Sequence, residues 1–569
     1  MAETRRWLKF YGSIPASLAY PEVSLYEALV ATAQRLPDAI AWDFLDTQST
    51  YRAFVDAVDR CAYGLAALGL AAGERILISM PTTPQAVIAF YAANRLGAVP
   101  ALIHPLSALP EIEHYLNVSG ARIALTLDAF HARFAALHPR VPLATLVLAR
   151  IRDYLSPLKR LGFWLTQGRK IPAVRPDARV HWWSEVMAAR HPPVPRAVTR
   201  PDDPAAILFS SGTTGLPKGI ALSNRNLIAE GMQAATWGGM HGGDSILAVL
   251  PIFHGFGLGV CINAAFMAGG KSILVPTFSA DAVADALRTK RPNIIVGVPT
   301  LYDTLCRDPR LAKVDLSCLR ATFSGGDTLP RPVKERFEKL VAERGGRVRL
   351  LEGYGLTEAV TAIMAMPLDE YREGSMGIPF PDMLAKVCRP DSDQELPPGE
   401  EGEICIAGPA VMLGYVNDPE STAKTLRVHA DGRTWLHTGD IGRMDADGFF
   451  YFTVRAKRMI KSSGFNVYPA QVEAVLYAHP LVADACVVGV PDPSQVERVK
   501  AFVVLRDGGH GDADTEQRLI AYCRDRLIKW SCPREVEFSA ALPKTRVGKV
   551  DYRALMEEQA RRAGQAEGC

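Results

Sequence analysis

The stretch that decides the fold is FSSGTTGLPKG, residues 209–219, which follows the strand-like run AAIL at 205–208. Its three glycines, four hydroxyl side chains and one lysine can surround phosphate oxygens with N–H and O–H donors, and Lys218 can offset their charge. A Walker A loop requires Ser or Thr directly after the lysine, whereas this chain has Gly219 there. We therefore interpret the stretch as a phosphate-binding loop of another kind, formed by Ser210, Ser211, Gly212, Thr213, Thr214, Gly215 and Lys218.

Short β-rich runs alternate with helix-length segments on both sides of this loop. Residues 76–80, 85–96 and 97–102 have the pattern of a strand, a crossover helix and a second strand. Further strand-like runs follow at 273–275, 294–298 and 320–323. This alternation predicts an α/β fold in which helices cover parallel sheets.

The pattern changes after about Asp382. The runs at 403–406 and 449–452 are bounded by PPG at 397–399 and DADG at 445–448, which predicts hairpins in a small β-barrel-like subdomain. Two helical and two strand-like segments then predict a compact α+β unit. We expect an N-terminal domain over 1–455 and a small C-terminal domain over 456–569.

Composition excludes several classes of protein. The 569 residues carry 64 basic and 61 acidic side chains, a formal charge of +3, which provides no general field for nucleic acid. None of the ten cysteines has CxxC spacing, so we expect reduced thiols and a cytoplasmic protein. The first residues lack the apolar core of a signal peptide, and the longest apolar stretch, 258–268, is shorter than the roughly 20 residues of a spanning helix.

Further motifs follow the phosphate loop in a set order. They are PIFH at 251–254, SGGD at 324–327, EGYGLTE at 352–358, TGD at 438–440, RAKRMIK at 455–461 and PKTRVGK at 543–549. With the loop at 209–219, they resemble the signature of the adenylate-forming superfamily, which includes acyl-CoA ligases, adenylation domains of peptide synthetases, and luciferases. The resemblance covers essentially the whole chain and is greatest to bacterial medium- and long-chain fatty acyl-CoA ligases.

The resemblance implies binding of ATP, Mg²⁺ and coenzyme A, and the residue types suit these ligands. Asp440 can accept hydrogen bonds from a ribose diol, and Tyr354 can stack on adenine where Gly353 and Gly355 allow close backbone approach. Glu358 offers the hard oxygen that Mg²⁺ prefers. By the same resemblance, Thr214 joins Glu358 at the metal, and Gly326, Asp327, Glu352, Thr357 and Arg455 contact the nucleotide.

Lys549 is the predicted catalytic cation. Joining a carboxylate to the α-phosphate of ATP brings two anions together, and an ammonium directed at the developing charge would lower the barrier. No general base is required because the carboxylate is already ionised. The resemblance places Thr357 and Glu358 in the catalytic set and His254 beside the acyl pocket as a positioning residue, with Gly255 and Gly257 leaving room for an elongated chain.

The resemblance implies two half-reactions. A carboxylate and ATP give acyl-AMP and pyrophosphate, and the thiol of coenzyme A then attacks the anhydride and releases AMP. The C-terminal domain would rotate between the steps about a hinge at Lys457, near Lys461. Ser463, Gly464 and Phe465 would border the pantetheine channel. Two alternatives stay open: transfer of the adenylate to a carrier-protein thiol or another acceptor, and a non-catalytic acyl-nucleotide sensor.

Residues 150–172 form a basic amphipathic segment. Six basic side chains stand against Asp153, and leucines recur at 155, 158, 161 and 165. Such a segment can lie on an anionic membrane surface, here the inner face, where a medium- or long-chain fatty acid would partition. The other interpretation is an ordinary helix packed on the body, and Pro157 and Gly162 weaken any long helix.

Overall fold

The computed structural model describes residues 5–137, 140–141, 143–174, 177–188, 190–210, 217–277, 279–455, 458, 460–462, 465–467, 469–492, 496–506, 508, 511–527, 531–545 and 550–566. The chain forms two compact units. The larger comprises 1–325, 331–385 and 406–437, and the smaller comprises 326–330, 386–405 and 438–569.

Sixteen α-helices are present in the described residues. They are α1 Leu25–Arg35, α2 Tyr51–Ala67, α3 Pro84–Arg95, α4 Leu109–Ser119, α5 His131–Ala135, α6 Pro157–Thr166, α7 Trp183–Val186, α8 Asn224–Trp237, α9 Ala264–Ala268, α10 Ala280–Lys290, α11 Pro299–Arg307, α12 Arg331–Glu343, α13 Pro419–Thr425, α14 Pro469–Tyr477, α15 Ala513–Arg524 and α16 Tyr552–Ala566. A π-helix, Phe256–Asn263, leads directly into α9.

The strands of the same residues are β1 Ile40–Phe44, β2 Thr47–Thr50, β3 Arg75–Ser79, β4 Val99–Leu102, β5 Ile123–Leu127, β6 Thr145–Ala149, β7 Val180–Trp182, β8 Pro204–Ser210, β9 Lys218–Ser223, β10 Ser245–Ala248, β11 Lys271–Leu274, β12 Ile294–Gly297, β13 Ala321–Ser324, β14 Leu350–Gly355, β15 Ala362–Ala365, β16 Ile378–Pro379, β17 Leu384–Cys388, β18 Gly402–Ala407, β19 Gly414–Tyr415, β20 Leu426–Val428, β21 Thr434–Met444, β22 Phe450–Arg455, β23 Ile460–Ser462, β24 Phe465–Val467, β25 Val482–Asp492, β26 Val496–Leu505 and β27 Glu535–Phe538.

Two mainly parallel sheets form the framework of the larger unit. One has the order β19-β9-β8-β4-β3-β5-β6-β7, and the other has the order β16-β15-β14-β13-β12-β10-β11-β1-β2. Strands β3, β4, β5 and β6 pair in parallel in the first sheet, and β10 to β14 include four parallel pairs in the second. The predicted α/β fold with parallel sheets is therefore confirmed.

Helix α3 shows why the alternating runs fold in this way. Every one of its twelve residues is buried, so it carries apolar side chains around its whole circumference and not on one stripe. Thr83 caps its start by accepting a hydrogen bond from the N–H of Ala86, 3.4 Å away, and Pro84 occupies the first turn, where its missing N–H costs no helical bond.

A five-stranded sheet with the order β17-β18-β21-β20, and with β22 beside β21, forms the β-rich region. Strands β21 and β22 are antiparallel, as the sequence predicts. The carboxylate of Asp445 supports their turn by accepting hydrogen bonds from the N–H groups of Asp447 and Phe449 at 2.9 and 3.0 Å.

The C-terminal part of the smaller unit is a compact α+β structure, as predicted. Its sheet has the order β24-β23-β26-β25, and β27 adds to β26. Buried aliphatic side chains of β25, β26, α14 and α15 form its main core. The division at residue 455 stays a prediction.

The basic segment folds as a 3₁₀ turn, Ile151–Tyr154, followed by α6. The helix begins at Pro157, where proline is well tolerated, and none of its ten residues is buried. In the part of the chain that the structure describes, we find no helix with the length and apolar character needed to cross a membrane.

Candidate active site

Lys218 stands at the start of β9, beside the phosphate loop. It is the register partner of Ser210, the last residue of β8, so the two ends of the predicted loop are adjacent in the sheet. Its ammonium lies 3.3 Å from Oδ2 of Asp418, donates to Oγ of Ser421, and lies 4.8 Å from the ring centroid of Tyr415. A carboxylate and a hydroxyl therefore hold this cation at the start of β9.

Glu358, the predicted magnesium ligand, contacts the same tyrosine. The hydroxyl of Tyr415 donates to Oε1 of Glu358 at 3.0 Å, and the N–H of Met412 donates to the Glu358 carbonyl at 2.8 Å. Burial, and then the charge of Glu358, raise the pKa of Tyr415, so its phenol stays protonated and able to donate. Tyr415 thus places Glu358 and Lys218 in one cluster.

The turn that carries Thr357 and Glu358 is strained. It is a single 3₁₀ turn, Thr357–Ala359, and the next residue, Val360, has φ 60° and ψ −66°. A β-branched residue with positive φ is a genuine outlier, and such conformations cost of order 1–3 kcal/mol. Strain of this kind is concentrated at functional sites, which agrees with the predicted role of the turn.

In the EGYG segment, residues 352–355, Tyr354 lies between two glycines. Tyr354 lies in β14 opposite Met364 of the antiparallel β15. A Cβ on Gly355 would overlap the carbonyl oxygen of Thr361, so the two backbones can approach only because this side chain is absent. At Gly355 the absent side chain thus serves the pairing of β14 with β15. Stacking of Tyr354 on adenine stays a prediction.

Glu352 begins this segment with a partly buried carboxyl group. Its Oε1 accepts a hydrogen bond from the hydroxyl of Tyr371 at 3.3 Å, and the ammonium of Lys334 lies 4.1 Å from the Tyr371 ring centroid. Burial raises the pKa of Glu352 to about 7, although the charge of Lys334 acts against it. A carboxyl group that changes its charge near neutral pH is typical of functional sites.

His254 has the geometry of a positioning residue. Its Nδ1 accepts a hydrogen bond from the N–H of Phe256 at 3.2 Å, at the first residue of the π-helix. The preceding Phe253 packs on His104 with ring centroids 4.7 Å apart. Engagement of Nδ1 with the backbone fixes the imidazole at the helix start, and the role of His254 beside the acyl group stays a prediction.

The expected space at Gly255 and Gly257 is not present. A Cβ on Gly255 would overlap the carbonyl oxygen of Val360, and one on Gly257 would overlap that of Pro251. The sequence expectation is therefore wrong at these positions. Their small size serves the packing of the π-helix against neighbouring backbone.

In the smaller unit, Asp440 and Arg455 pair with each other. They are register partners of β21 and β22. Nε and Nη2 of Arg455 donate to the two carboxylate oxygens of Asp440 at 2.7 and 3.1 Å, and the Asp440 side chain is only 1% exposed. The N–H of Asp440 donates to Oγ1 of Thr438 at 3.1 Å. This two-point contact fixes the carboxylate that the sequence assigns to ribose.

Gly326 and Asp327 also belong to the smaller unit. Gly326 has φ 82°, a conformation that favours glycine, and Oδ1 of Asp327 accepts the N–H of Thr328 at 2.9 Å. Lys461 and Phe465 lie in the paired strands β23 and β24. The remaining predicted residues lie outside the described ranges: Ser211, Gly212, Thr213, Thr214, Gly215, Lys457, Ser463, Gly464 and Lys549.

A lysine at the predicted phosphate loop, a carboxylate linked to it through Tyr415 and a glycine-flanked tyrosine are the features expected of a nucleotide-binding enzyme on an α/β framework. The family described as AMP-binding enzyme matches residues 29–416, and the AMP-binding enzyme C-terminal domain matches residues 471–549. The chain belongs to the AMP-binding enzymes. Within that family it is an acyl-CoA ligase, an AMP-forming acid–thiol ligase, as the resemblance predicts.

Relatives with different acyl substrates match the chain over nearly its whole length. A long-chain-fatty-acid–CoA ligase of Bacillus subtilis strain 168 is 34% identical over 567 residues, covering 98% of this chain and 99% of the relative. A feruloyl-CoA synthase of an Amycolatopsis species is 34% identical, covering 92% and 96%. The crystal structure of ATP-bound MatB from Rhodopseudomonas palustris is 28% identical, with a TM-score of 0.82 and coverage of 95% and 99%.

Proposed function

We propose that this chain joins medium- or long-chain fatty acids to coenzyme A in two steps. A carboxylate oxygen attacks the α-phosphorus of ATP, and pyrophosphate leaves. The thiol sulfur of coenzyme A then attacks the acyl carbon, and AMP leaves. Similarity to a long-chain-fatty-acid–CoA ligase across 98% of the chain carries the proposal. Equal identity to a feruloyl-CoA synthase makes an aryl acid the second candidate substrate.

The residues have distinct parts in this proposal. Lys218, paired with Asp418, offsets the charge of the ATP phosphates, and the loop residues Ser210 to Gly215 donate hydrogen bonds to the phosphate oxygens. Tyr354 stacks on adenine, with Gly353 and Gly355 beside it, and Asp440 binds the ribose hydroxyls. The nucleotide is bound further by Gly326, Asp327, Glu352, Thr357 and Arg455. His254 positions the acyl group.

The chemistry of the donors fits a magnesium ion. Glu358 provides a carboxylate and Thr214 a hydroxyl, both oxygen donors of the kind Mg²⁺ takes alongside substrate phosphate. The hydroxyl of Tyr415 fixes the orientation of the Glu358 carboxylate. When bound, the ion would neutralise phosphate charge.

The proposed division of labour places Lys549 in a C-terminal domain over 456–569. This domain would present Lys549 during adenylation and withdraw it before thioester formation, with Lys457 as the hinge and Lys461 near it. Ser463, Gly464 and Phe465 would then border the pantetheine channel. A hinge needs only a few residues that absorb a backbone change, which suits this short segment between larger elements.

We expect AMP release to require coenzyme A and to increase with acyl chain length. The assay measures AMP with coenzyme A, with a carrier protein, or with neither, for acids from acetate to oleate and for ferulate. Medium- or long-chain acids should exceed acetate and ferulate at least tenfold in kcat/KM, since each buried methylene contributes about 0.8 kcal/mol. Preference for ferulate, or turnover independent of coenzyme A, would contradict the proposal.

The proposal extends to a peripheral contact with the membrane through α6. Leu158, Leu161, Trp164 and Leu165 share one helical face and are 81%, 55%, 45% and 51% exposed. On the opposite side, the Lys159 ammonium pairs with Asp46 of the body. An exposed apolar face on a helix anchored by its other side is typical of helices that lie in a membrane interface.

Leu161→Asp should reduce flotation of the protein with liposomes several-fold, because it places a charge at the centre of this face. The measurement is the protein fraction that floats with vesicles in a density gradient. Thr166→Asp, on the same helix but away from the leucines, is the matched control. Equal flotation of wild type and Leu161→Asp would remove the membrane contact from the proposal.

A further inference from the structure

A cavity of about 570 Å³ lies in the larger unit beside α6. The 3₁₀ turn Ile151–Tyr154 forms one side, and the start of α7 contributes to another. Its volume is within the range of sites that bind small molecules. The lining residues are Arg60, Arg150, Arg152, Asp153, Tyr154, Arg160, Trp183, Ser184 and Met187.

Four arginines face a single carboxylate in this cavity. Asp153 is engaged by the turn itself, since its Oδ2 accepts the N–H of Arg150 at 3.3 Å. The Arg150 guanidinium lies 3.7 Å from the Trp182 ring centroid and 3.7 Å from Oδ2 of Asp128. Arg150 therefore has a structural role, and the cavity keeps a strong excess of positive charge.

Arg60, Arg152 and Arg160 differ from the paired basic residues around them. Among the described residues, none of the three has a carboxylate within ion-pair distance, whereas Lys159 on the same helix pairs with Asp46. Guanidinium groups bind phosphate oxygens through paired N–H donors. Three such groups lining one cavity fit a phosphate group.

Arg160 connects the cavity to the exposed apolar face of α6. It lines the cavity, directly precedes Leu161, and is four residues before Trp164, so that it neighbours Trp164 on the helix surface. A phosphate held in the cavity would therefore stand next to side chains suited to acyl chains. Phospholipids combine these two chemistries, and tryptophan is enriched at the boundary between headgroups and chains.

We propose that this cavity binds the headgroup phosphate of an anionic phospholipid while α6 lies in the membrane interface. The inference rests on the proposed membrane contact and adds a specific receptor for one lipid group. The arginines would hold the phosphate, and Leu158, Leu161 and Leu165 would enter the acyl region. Binding of the phosphate in the cavity would then orient the enzyme on the membrane surface, where its fatty acid substrate partitions.

The test compares binding to phosphatidylcholine vesicles with binding to vesicles in which about a third of the lipid is phosphatidylglycerol. Wild type should bind the anionic vesicles at least tenfold more tightly. Arg152→Gln/Arg160→Gln removes two cavity arginines, and Arg169→Gln/Lys170→Gln removes two charges from the same segment outside the cavity. The cavity variant should lose about tenfold more affinity than the control, because it loses charge-assisted hydrogen bonds as well as surface charge.

Each other outcome overturns the proposal. Equal losses of vesicle affinity in the two variants would mean that the segment is attracted to the anionic surface by its overall charge. The membrane contact would then stand, but the cavity would not be a receptor for the phosphate. If wild type showed no preference for anionic vesicles, both the membrane contact and the phosphate receptor would be ruled out. A raised KM for coenzyme A in the cavity variant, with vesicle binding intact, would assign the cavity to a soluble phosphate. Acyl-CoA formation without vesicles, and the melting temperature, should be unchanged in both variants.

Discussion

Lys549→Ala should abolish the first half-reaction and leave the second largely intact. The ammonium of Lys549 is proposed to stabilise charge at the α-phosphate as the carboxylate attacks, a contribution typically worth a few kcal/mol. We expect acyl-AMP formation to fall by about a thousandfold or more, since each 1.36 kcal/mol is a factor of ten. The measurement is ATP–pyrophosphate exchange that depends on the fatty acid.

The second half-reaction is measured from supplied acyl-AMP and coenzyme A. It should change by less than about threefold, because the proposed hinge motion withdraws Lys549 before the thiol attacks. Lys544→Ala, in the same PKTRVGK motif, is the control and should affect neither step strongly. Equal losses in both half-reactions would contradict the division of labour and the hinge at Lys457.

The fold was largely predictable because its strands are buried on both faces. Runs such as 76–80 and 294–298 are apolar without alternation, and the structure places strands at Arg75–Ser79 and Ile294–Gly297. The predicted ends of the elements differ from the observed ends by a few residues, since the last hydrogen bonds of each strand depend on the neighbouring strands.

The site residues that lie in local sequence motifs could be predicted. The residues that contact them from distant parts of the chain could not. Tyr415 contacts Glu358 across 57 positions, and Ser421 contacts Lys218 across 203. Gly414-Tyr415 becomes a strand only by pairing with β9, so no local pattern marks it. The expectation of open space at Gly257 was wrong for a related reason. The carbonyl group of Pro251 fills that space, and its position is set by the π-helix and not by the size of residue 257.

A second feature that the sequence does not reveal is the carboxyl group of Glu230. It lies on α8, fully buried, where a Cβ on Gly259 would overlap its oxygens. Among the described residues, neither oxygen has a hydrogen-bond partner of normal geometry, and the backbone N–H of Ala362 lowers the pKa of this carboxyl group only in part. Burial raises its pKa to about 8. The neighbouring Cys261 thiol also stays neutral, because burial and Glu230 raise its pKa.

Glu230→Gln should therefore stabilise the protein at neutral pH. The native state keeps a proton on Glu230 up to about pH 8, whereas the unfolded chain releases it near pH 4.5. Between these values the unfolded state binds fewer protons, so wild-type stability falls with rising pH by up to about 1.4 kcal/mol per unit. Glutamine keeps the shape and the neutral charge and has no proton to lose.

The difference in unfolding free energy between Glu230→Gln and wild type should thus be smallest near pH 5 and reach about 3 kcal/mol at pH 7. Urea unfolding across this range measures it. Glu343→Gln, at an exposed glutamate of α12 whose side chain is 51% accessible, removes the same charge and should show no such trend. A pH-independent difference for Glu230→Gln would mean that the carboxyl group is already ionised in the native state. The buried site would then have to contain a compensating charge.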